Sequence, residues 1–170
     1  MTNKEASYNQ EHMVAKFLGW KVVSGSGSRP FRPGDVQNDN YLVECKTHTK
    51  EQNNIVFYKN HWEKIVLESR SVNKYPALIV DDGTQSAENT WVMLPRRIIP
   101  EDEAFRLFNL TNTSRTDSTV TFNHSSATNL FRLGSQENRI NLFPEWCNGE
   151  QVAIMPLSEF KKFYQEQFES

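Results

Sequence analysis

Residues 34–46 read Gly34-Asp35-Val36-Gln37-Asn38-Asp39-Asn40-Tyr41-Leu42-Val43-Glu44-Cys45-Lys46. The segment predicts two short strands, Asp35 to Gln37 and Tyr41 to Lys46, joined by the turn-forming Asn38-Asp39-Asn40. Side chains alternate across a strand, so Tyr41, Val43 and Cys45 share one face and Leu42, Glu44 and Lys46 the other. Mg²⁺ prefers hard oxygen ligands and usually takes one or two carboxylates with water and phosphate. Asp35 and Glu44, on neighbouring strands, are a pair that could grip such an ion. Lys46, about 7 Å from Glu44 along the strand, would position an attacking water and counter charge growing on a phosphate. An acid-x-Lys triplet is weak by itself. The chain holds a second one, Glu159-Phe160-Lys161, on a predicted helix with no Gly-Asp before it.

The surroundings of the first copy set it apart. Upstream, Thr2 to Leu18 reads as an amphipathic helix, with Ala6, Met13, Val14, Phe17 and Leu18 on one arc. Thr2 or Asn3 caps it and Gly19 ends it. Glu11 lies beside Leu18 at the margin of the arc, a candidate further carboxylate, whereas Glu5 points the other way. After a short strand, Trp20 to Val23, comes a loop from Ser24 to Gly34, SGSGSRPFRPG. It reads either as a phosphate-facing loop, through free backbone N–H groups, hydroxyls, Arg29 and Arg32, or as an exposed connector.

Downstream, a strand at Ile55 to Phe57 leads into a helix from Lys59 to Ser69. Ala77 to Val80 is an apolar run closed by Asp81-Asp82-Gly83, the pattern of a buried strand. Thr90 to Leu94 is a further strand stopped by Pro95. Beyond it the pattern weakens to a helix at Glu101 to Phe108, a loop or irregular hairpin at 109–128, a strand at Val152 to Met155, and a helix at Ser158 to Gln167 capped by Ser158. His48 and His61 flank the site in sequence and suit proton transfer or phosphate contact, or simple exposure. Lys50 and Lys59 read as holders of a phosphate backbone or as solvated lysines. Trp62 reads as core, Cys45 as a buried thiol, and Phe160, Phe163, Tyr164 and Phe168 as a packing or dimer face.

At 170 residues the chain is sized for one domain, and 37% hydrophobic with 24% charged residues excludes collagen-like, low-complexity and mostly disordered classes. No apolar run is long enough to span a bilayer, and the N-terminal stretch is too polar for a secretory leader, so an intracellular protein is expected. Two cysteines make no disulfide framework, and no Cys/His set has zinc spacing. P-loop, dinucleotide-binding and nucleophile-elbow motifs are missing, which disfavours small-molecule chemistry. Residues 1–75 carry eleven Lys/Arg against eight Asp/Glu, 11 − 8 = +3, and residues 76–170 carry eight against thirteen, 8 − 13 = −5. The split reads either as a basic half that can meet a polyanion beside an acidic half that favours solubility, or as chance composition.

Taken in order, Glu11, Gly25-Ser26-Gly27-Ser28-Arg29, Gly34-Asp35-Val36, Val43-Glu44-Cys45-Lys46-Thr47, the helix with Lys59 and Trp62, and Pro76-Ala77-Leu78-Ile79-Val80 resemble the PD-(D/E)xK, or restriction-endonuclease-like, nucleases. Within them the chain is most similar to the small Holliday junction resolvases of archaea and their phage-type relatives. The resemblance covers roughly residues 5–95. It implies an α/β fold with a restriction-endonuclease-like core over residues 1–100, a central mixed β-sheet flanked by helices. Residues 101–170 are expected as a C-terminal α+β extension packed on the same domain. It implies catalytic roles for Glu11, Asp35, Glu44 and Lys46, with Asp35, Glu44 and Glu11 as metal ligands, and Mg²⁺ as cofactor with Mn²⁺ as a substitute. Ser28 and Arg29 match the loop residues near the scissile phosphate; Arg32, His48, Lys50 and Lys59 complete the expected DNA contacts. The implied activity is Mg²⁺-dependent hydrolysis of DNA phosphodiesters, with a four-way junction as substrate and a homodimer supplying two symmetric cuts. A phage or mobile-element origin is implied too. Two features depart from the pattern: Gly34 stands where the motif has Pro, and only eight residues separate Asp35 from Glu44. The alternatives are a sequence-specific or nicking duplex endonuclease, and a non-catalytic DNA-binding or interaction module on the same fold.

Overall fold

The computed structural model describes residues 1–24, 33–99, 114–125, 141–147 and 150–168. Helix α1, Asn3–Leu18, begins with a reciprocal cap: Glu5 N–H donates to Thr2 Oγ1 at 3.1 Å, and Thr2 N–H to Glu5 Oε2 at 2.8 Å. It ends at Gly19, whose φ of 74° suits glycine, while Trp20 N–H returns to the Ala15 carbonyl. Strands β1 (Lys21–Val22), β2 (Val36–Gln37) and β3 (Tyr41–Lys46) follow as an antiparallel meander, with Val22 opposite Val36 and Val36 opposite Val43. Asn38 Oδ1 accepts the N–H groups of Asn40 and Tyr41, which turns the chain between β2 and β3.

β4 (Asn54–Tyr58) and helix α2 (Lys59–Ser71) then carry the chain over to β5 (Tyr75–Asp81), which lies parallel to β3 with Glu44 opposite Leu78 and Lys46 opposite Val80. β6 (Thr90–Pro95) pairs antiparallel with β5. A small hairpin, β7 (Ser114–Arg115) and β8 (Thr119–Asn123), joins β4 in a three-stranded sheet. β9 (Asn141–Cys147), β10 (Glu150–Pro156) and helix α3 (Leu157–Phe168) complete the described elements. The main sheet runs β1-β2-β3-β5-β6-β10-β9, mixed in direction, and the class is α/β.

The alternation read from β3 sorts two cores, one on each face. Tyr41, Val43 and Cys45 pack with Val14 and Leu18 of α1 and Phe160 and Phe163 of α3. Leu42 packs with Trp62 and Ile65 of α2, Phe57 of β4 and Phe122 of β8. Trp62 and Cys45 are therefore buried, as expected. Of the α3 aromatics, Phe160 and Phe163 pack inward, Tyr164 is partly buried and Phe168 is exposed; Phe160 meets Tyr41 at 5.4 Å between ring centroids, edge to face. β10 sits inside the main sheet between β6 and β9, so part of the 101–170 segment supplies sheet and core to the same body. The elements differ from the sequence reading at their ends. β2 starts at Val36 and leaves Asp35 in the bend before it, α2 continues to Ser71, and α3 starts at the buried Leu157, one residue before Ser158. β10 reaches from Glu150 to Pro156 because it is paired on both edges. The predicted helix at Glu101 to Phe108 lies outside the described residues. Among the described residues no helix is long and apolar enough to cross a membrane.

Candidate active site

The site forms where β3 ends beside the bend that precedes β2. Gly34 adopts φ +72°, and a Cβ there would come within 2.6 Å of the Leu42 side chain, so both conformation and space call for glycine. Its N–H donates to Glu68 Oε2 at 2.9 Å, tying the bend to α2. Asp35 follows with its backbone laddered on both sides: its N–H donates to the Val43 carbonyl at 2.7 Å and its carbonyl accepts from Val23 N–H at 2.8 Å. Its side chain turns onto β3, where Oδ2 accepts the Cys45 N–H at 2.8 Å. The Asp35 carboxylate is thereby held against the peptide between Glu44 and Lys46.

Glu44 is 2% exposed and surrounded by ammonium groups. Lys46 Nζ lies 2.9 Å from Oε1. Lys64 Nζ, from α2, donates to both oxygens, at 3.1 and 3.0 Å. Lys64 also pairs with Glu68 at 3.5 Å. Partial burial pulls the Lys64 ammonium down, but Glu44, Glu68 and Asp35 outweigh it and hold the group above the ordinary lysine range.

Glu11 approaches from α1. Burial first, then repulsion by Asp35 and Glu44, push its carboxyl up to about 7 against an opposing pull from Lys46. Three carboxylates and a lysine from α1, the β2 bend and β3 thus share one electrostatic neighbourhood. Next to Glu11, Gln10 is fully buried and donates Nε2–H to the Lys46 carbonyl at 2.6 Å, while its Oε1 is buried without a hydrogen-bond partner. His61 stands at the same place: burial, then Lys46, drive its imidazole below the usual range, with Lys64 adding and Glu44 opposing. Beyond Lys46, the Thr47 hydroxyl donates to the buried Asp81 at the end of β5, and Gln85 Nε2 donates to Thr47 Oγ1 at 2.9 Å, fixing the strand's exit.

Of the residues expected from sequence, Glu11, Asp35, Glu44 and Lys46 come together here. Lys46 does not reach out from the strand alone: its ammonium is bound to Glu44. His48 and Lys50 are exposed on the loop after β3. Lys59 opens α2 and pairs with Glu63 at 3.9 Å on its own helix. Ser28, Arg29 and Arg32 lie outside the described residues. Gln10, Lys64 and Glu68 escaped the sequence reading. Gln10 had a signal, since it sits midway between the core residues Ala6 and Val14 at four-residue spacing, where an apolar residue is the rule. Lys64 had none, because its partner is twenty positions away on another element.

Among the described residues no set of three His, Cys, Asp or Glu is arranged to hold a metal. The donor chemistry nonetheless suits Mg²⁺, which keeps most of its waters and needs only one or two carboxylates. The repulsion that raises Glu11 is what a bound divalent cation would relieve. No family model, curated protein or solved structure matches the chain.

Proposed function

We propose that the protein is a Mg²⁺-dependent DNA endonuclease that hydrolyses phosphodiester bonds, with the four-way junction as its preferred substrate and a homodimer as its working form. The observation that carries the reading is the 2.8 Å bond from Cys45 N–H to Asp35 Oδ2, which sets the Asp35 carboxylate beside the Glu44-x-Lys46 strand end. Support also comes from the order of elements: a helix, a three-stranded antiparallel meander, then a crossover through α2 to a strand parallel to β3. The order supports the reading, and the restriction-endonuclease-like core itself rests on the resemblance. The junction and the dimer rest on the resemblance alone.

Asp35 and Glu44 would hold the metal, with Glu11 as a third carboxylate. Mg²⁺, when bound, supplies positive charge to the non-bridging oxygens of the scissile phosphate. Lys46 orients the attacking water and offsets charge that builds on the phosphorane. Its own position is set from both sides, by Glu44 at the ammonium and by Gln10 at the carbonyl. His61, with its imidazole biased to the neutral form, is a base at the same cluster able to take a proton.

The test is cleavage of end-labelled four-way junction, linear duplex and single strand, with Mg²⁺ and with EDTA. Asp35→Asn, Glu44→Gln and Lys46→Ala should each lower the rate by about 10²-fold or more, the range for removing one group that stabilises developing charge. Paired, Mg²⁺-dependent nicks confined to the junction establish the resolvase. Equal cutting of linear duplex keeps the nuclease and removes the junction. One observation favours the non-catalytic reading: the Glu44 carboxylate already engages two lysines, as a structural ion triad would. Absence of cutting on every substrate, with Mn²⁺ affinity unchanged in Asp35→Asn, would decide for that reading.

A further inference from the structure

At the end of the sheet opposite Glu44 and Lys46 there is a polar concavity of about 410 Å³. Arg70, Lys74 and Arg97 line it with one carboxylate, Asp39, and with Tyr75. Among the described residues that line it, the formal balance is three cations against one acid, 3 − 1 = +2. The cations come from three places: the last turn of α2, the link from α2 to β5, and the 3₁₀ turn that follows β6. A helix C-terminus favours positive side chains, which accounts for Arg70. It does not account for Arg97, brought in from the far side of β5. Lys74 Nζ donates to Gln37 Oε1 at 2.9 Å, which anchors it beside the β2–β3 hairpin, and both arginines are exposed.

A polar hollow with two guanidinium forks and an ammonium suits a phosphate group, which arginine can grip in bidentate fashion. We propose that this hollow binds a backbone phosphate of the DNA strand or arm that leaves the candidate active site. The inference rests on the nuclease reading for its choice of polyanion. The distances suit it. Tyr41, whose register partner is Tyr75, lies five residues from Lys46 along β3, a span of about 17 Å, or roughly five phosphate steps of one DNA strand. Along α2, the half-exposed Lys64, itself paired with Glu44 and Glu68, precedes Arg70 by six residues, about 9 Å, which places the hollow within reach of the site along the helix as well.

The experiment is fluorescence anisotropy of labelled four-way junction and linear duplex with the full chain in EDTA, over a series of salt concentrations. Arg70→Glu/Arg97→Glu is compared with Lys4→Glu/Lys16→Glu, which makes the same charge change on exposed positions of α1. The first variant should weaken binding by about tenfold or more and lower the slope of log Kd against log salt by about 1 to 2, while the second stays within about twofold of the native chain. Circular dichroism and the urea midpoint confirm that both fold. Equal weakening by the two variants overturns the proposal. Calorimetric titration with inorganic phosphate separates the two sources of the anion. Phosphate bound by the native chain and lost in Arg70→Glu/Arg97→Glu, with no DNA bound, makes the hollow a free-phosphate site and overturns the DNA contact. The nuclease reading fails separately. Arginine-dependent DNA binding without Mg²⁺-dependent cleavage sinks that reading alone, and Lys46-dependent cleavage with unchanged binding in the arginine variant sinks this one alone.

Discussion

Glu44 is nearly sealed from water, yet it meets two ammonium groups. A buried carboxylate loses hydration that only charged or hydrogen-bonding partners restore, so removal of one partner leaves part of that cost uncompensated. Lys64→Met should therefore destabilise the fold by about 1–3 kcal/mol, read from urea unfolding at pH 7, with Lys46 limiting the loss. Glu11 makes the pH prediction. Its carboxyl rises from 4.5 to about 7 on folding, so the folded chain binds the proton more tightly than the unfolded one. The stability it contributes is full below pH 4.5 and is lost as pH rises through about 7. Glu11→Gln cannot lose a proton and should flatten that part of the curve, raising Tm relative to the native chain at pH 8 but not at pH 4. Thermal unfolding across that range checks it, and parallel curves for the two proteins would remove Glu11 from the cluster.

At the scale of elements, β2 is only two residues long and the bend before it does the placing. Gly34→Ala demands a left-handed backbone from alanine and sets its Cβ against the Leu42 side chain. The expected cost is about 1–3 kcal/mol, and the displaced Asp35 should lose cleavage beyond what the stability change explains. Activity measured well below the unfolding midpoint separates the two effects. Gln10 works in the same way from α1, since its amide spans from a helix core position to the Lys46 carbonyl. α1 is therefore more than a cover for the sheet: it sets the end of the strand that carries Lys46.

Across the whole molecule, the C-terminal part belongs to the sheet. β10 pairs with β6 along Val152 to Pro156, and Phe160 and Phe163 close the core over Tyr41. Phe160→Ala should cost about 3–5 kcal/mol, the range for emptying a buried aromatic site. A chain ending at residue 149 should lose cooperative unfolding, because the β6 edge and the aromatic core would both face water. A truncated chain that unfolds with an unchanged urea midpoint would instead make residues 150–168 an accessory. The same integration bears on the site, since Tyr41 begins the strand whose other end holds Glu44 and Lys46.

Local pattern determined much of this by itself. The period-two alternation of Tyr41 to Lys46 assigns each side chain to a face, the turn residues at 38–40 close the hairpin, and the apolar arc of α1 puts Glu11 at its margin. Those signals are short-range consequences of backbone geometry, which is why they are readable without a structure. Only the tertiary structure decided what fills the space around Glu44. The Lys64 bridge, the Gln10 bond to Lys46, the Glu68 tie to Gly34 and the arginine-lined hollow join residues from elements far apart in the chain. β10 was visible as an apolar run at Val152 to Met155, but its place between β6 and β9 was not, because strand order follows from which faces are left to bury once the chain has collapsed.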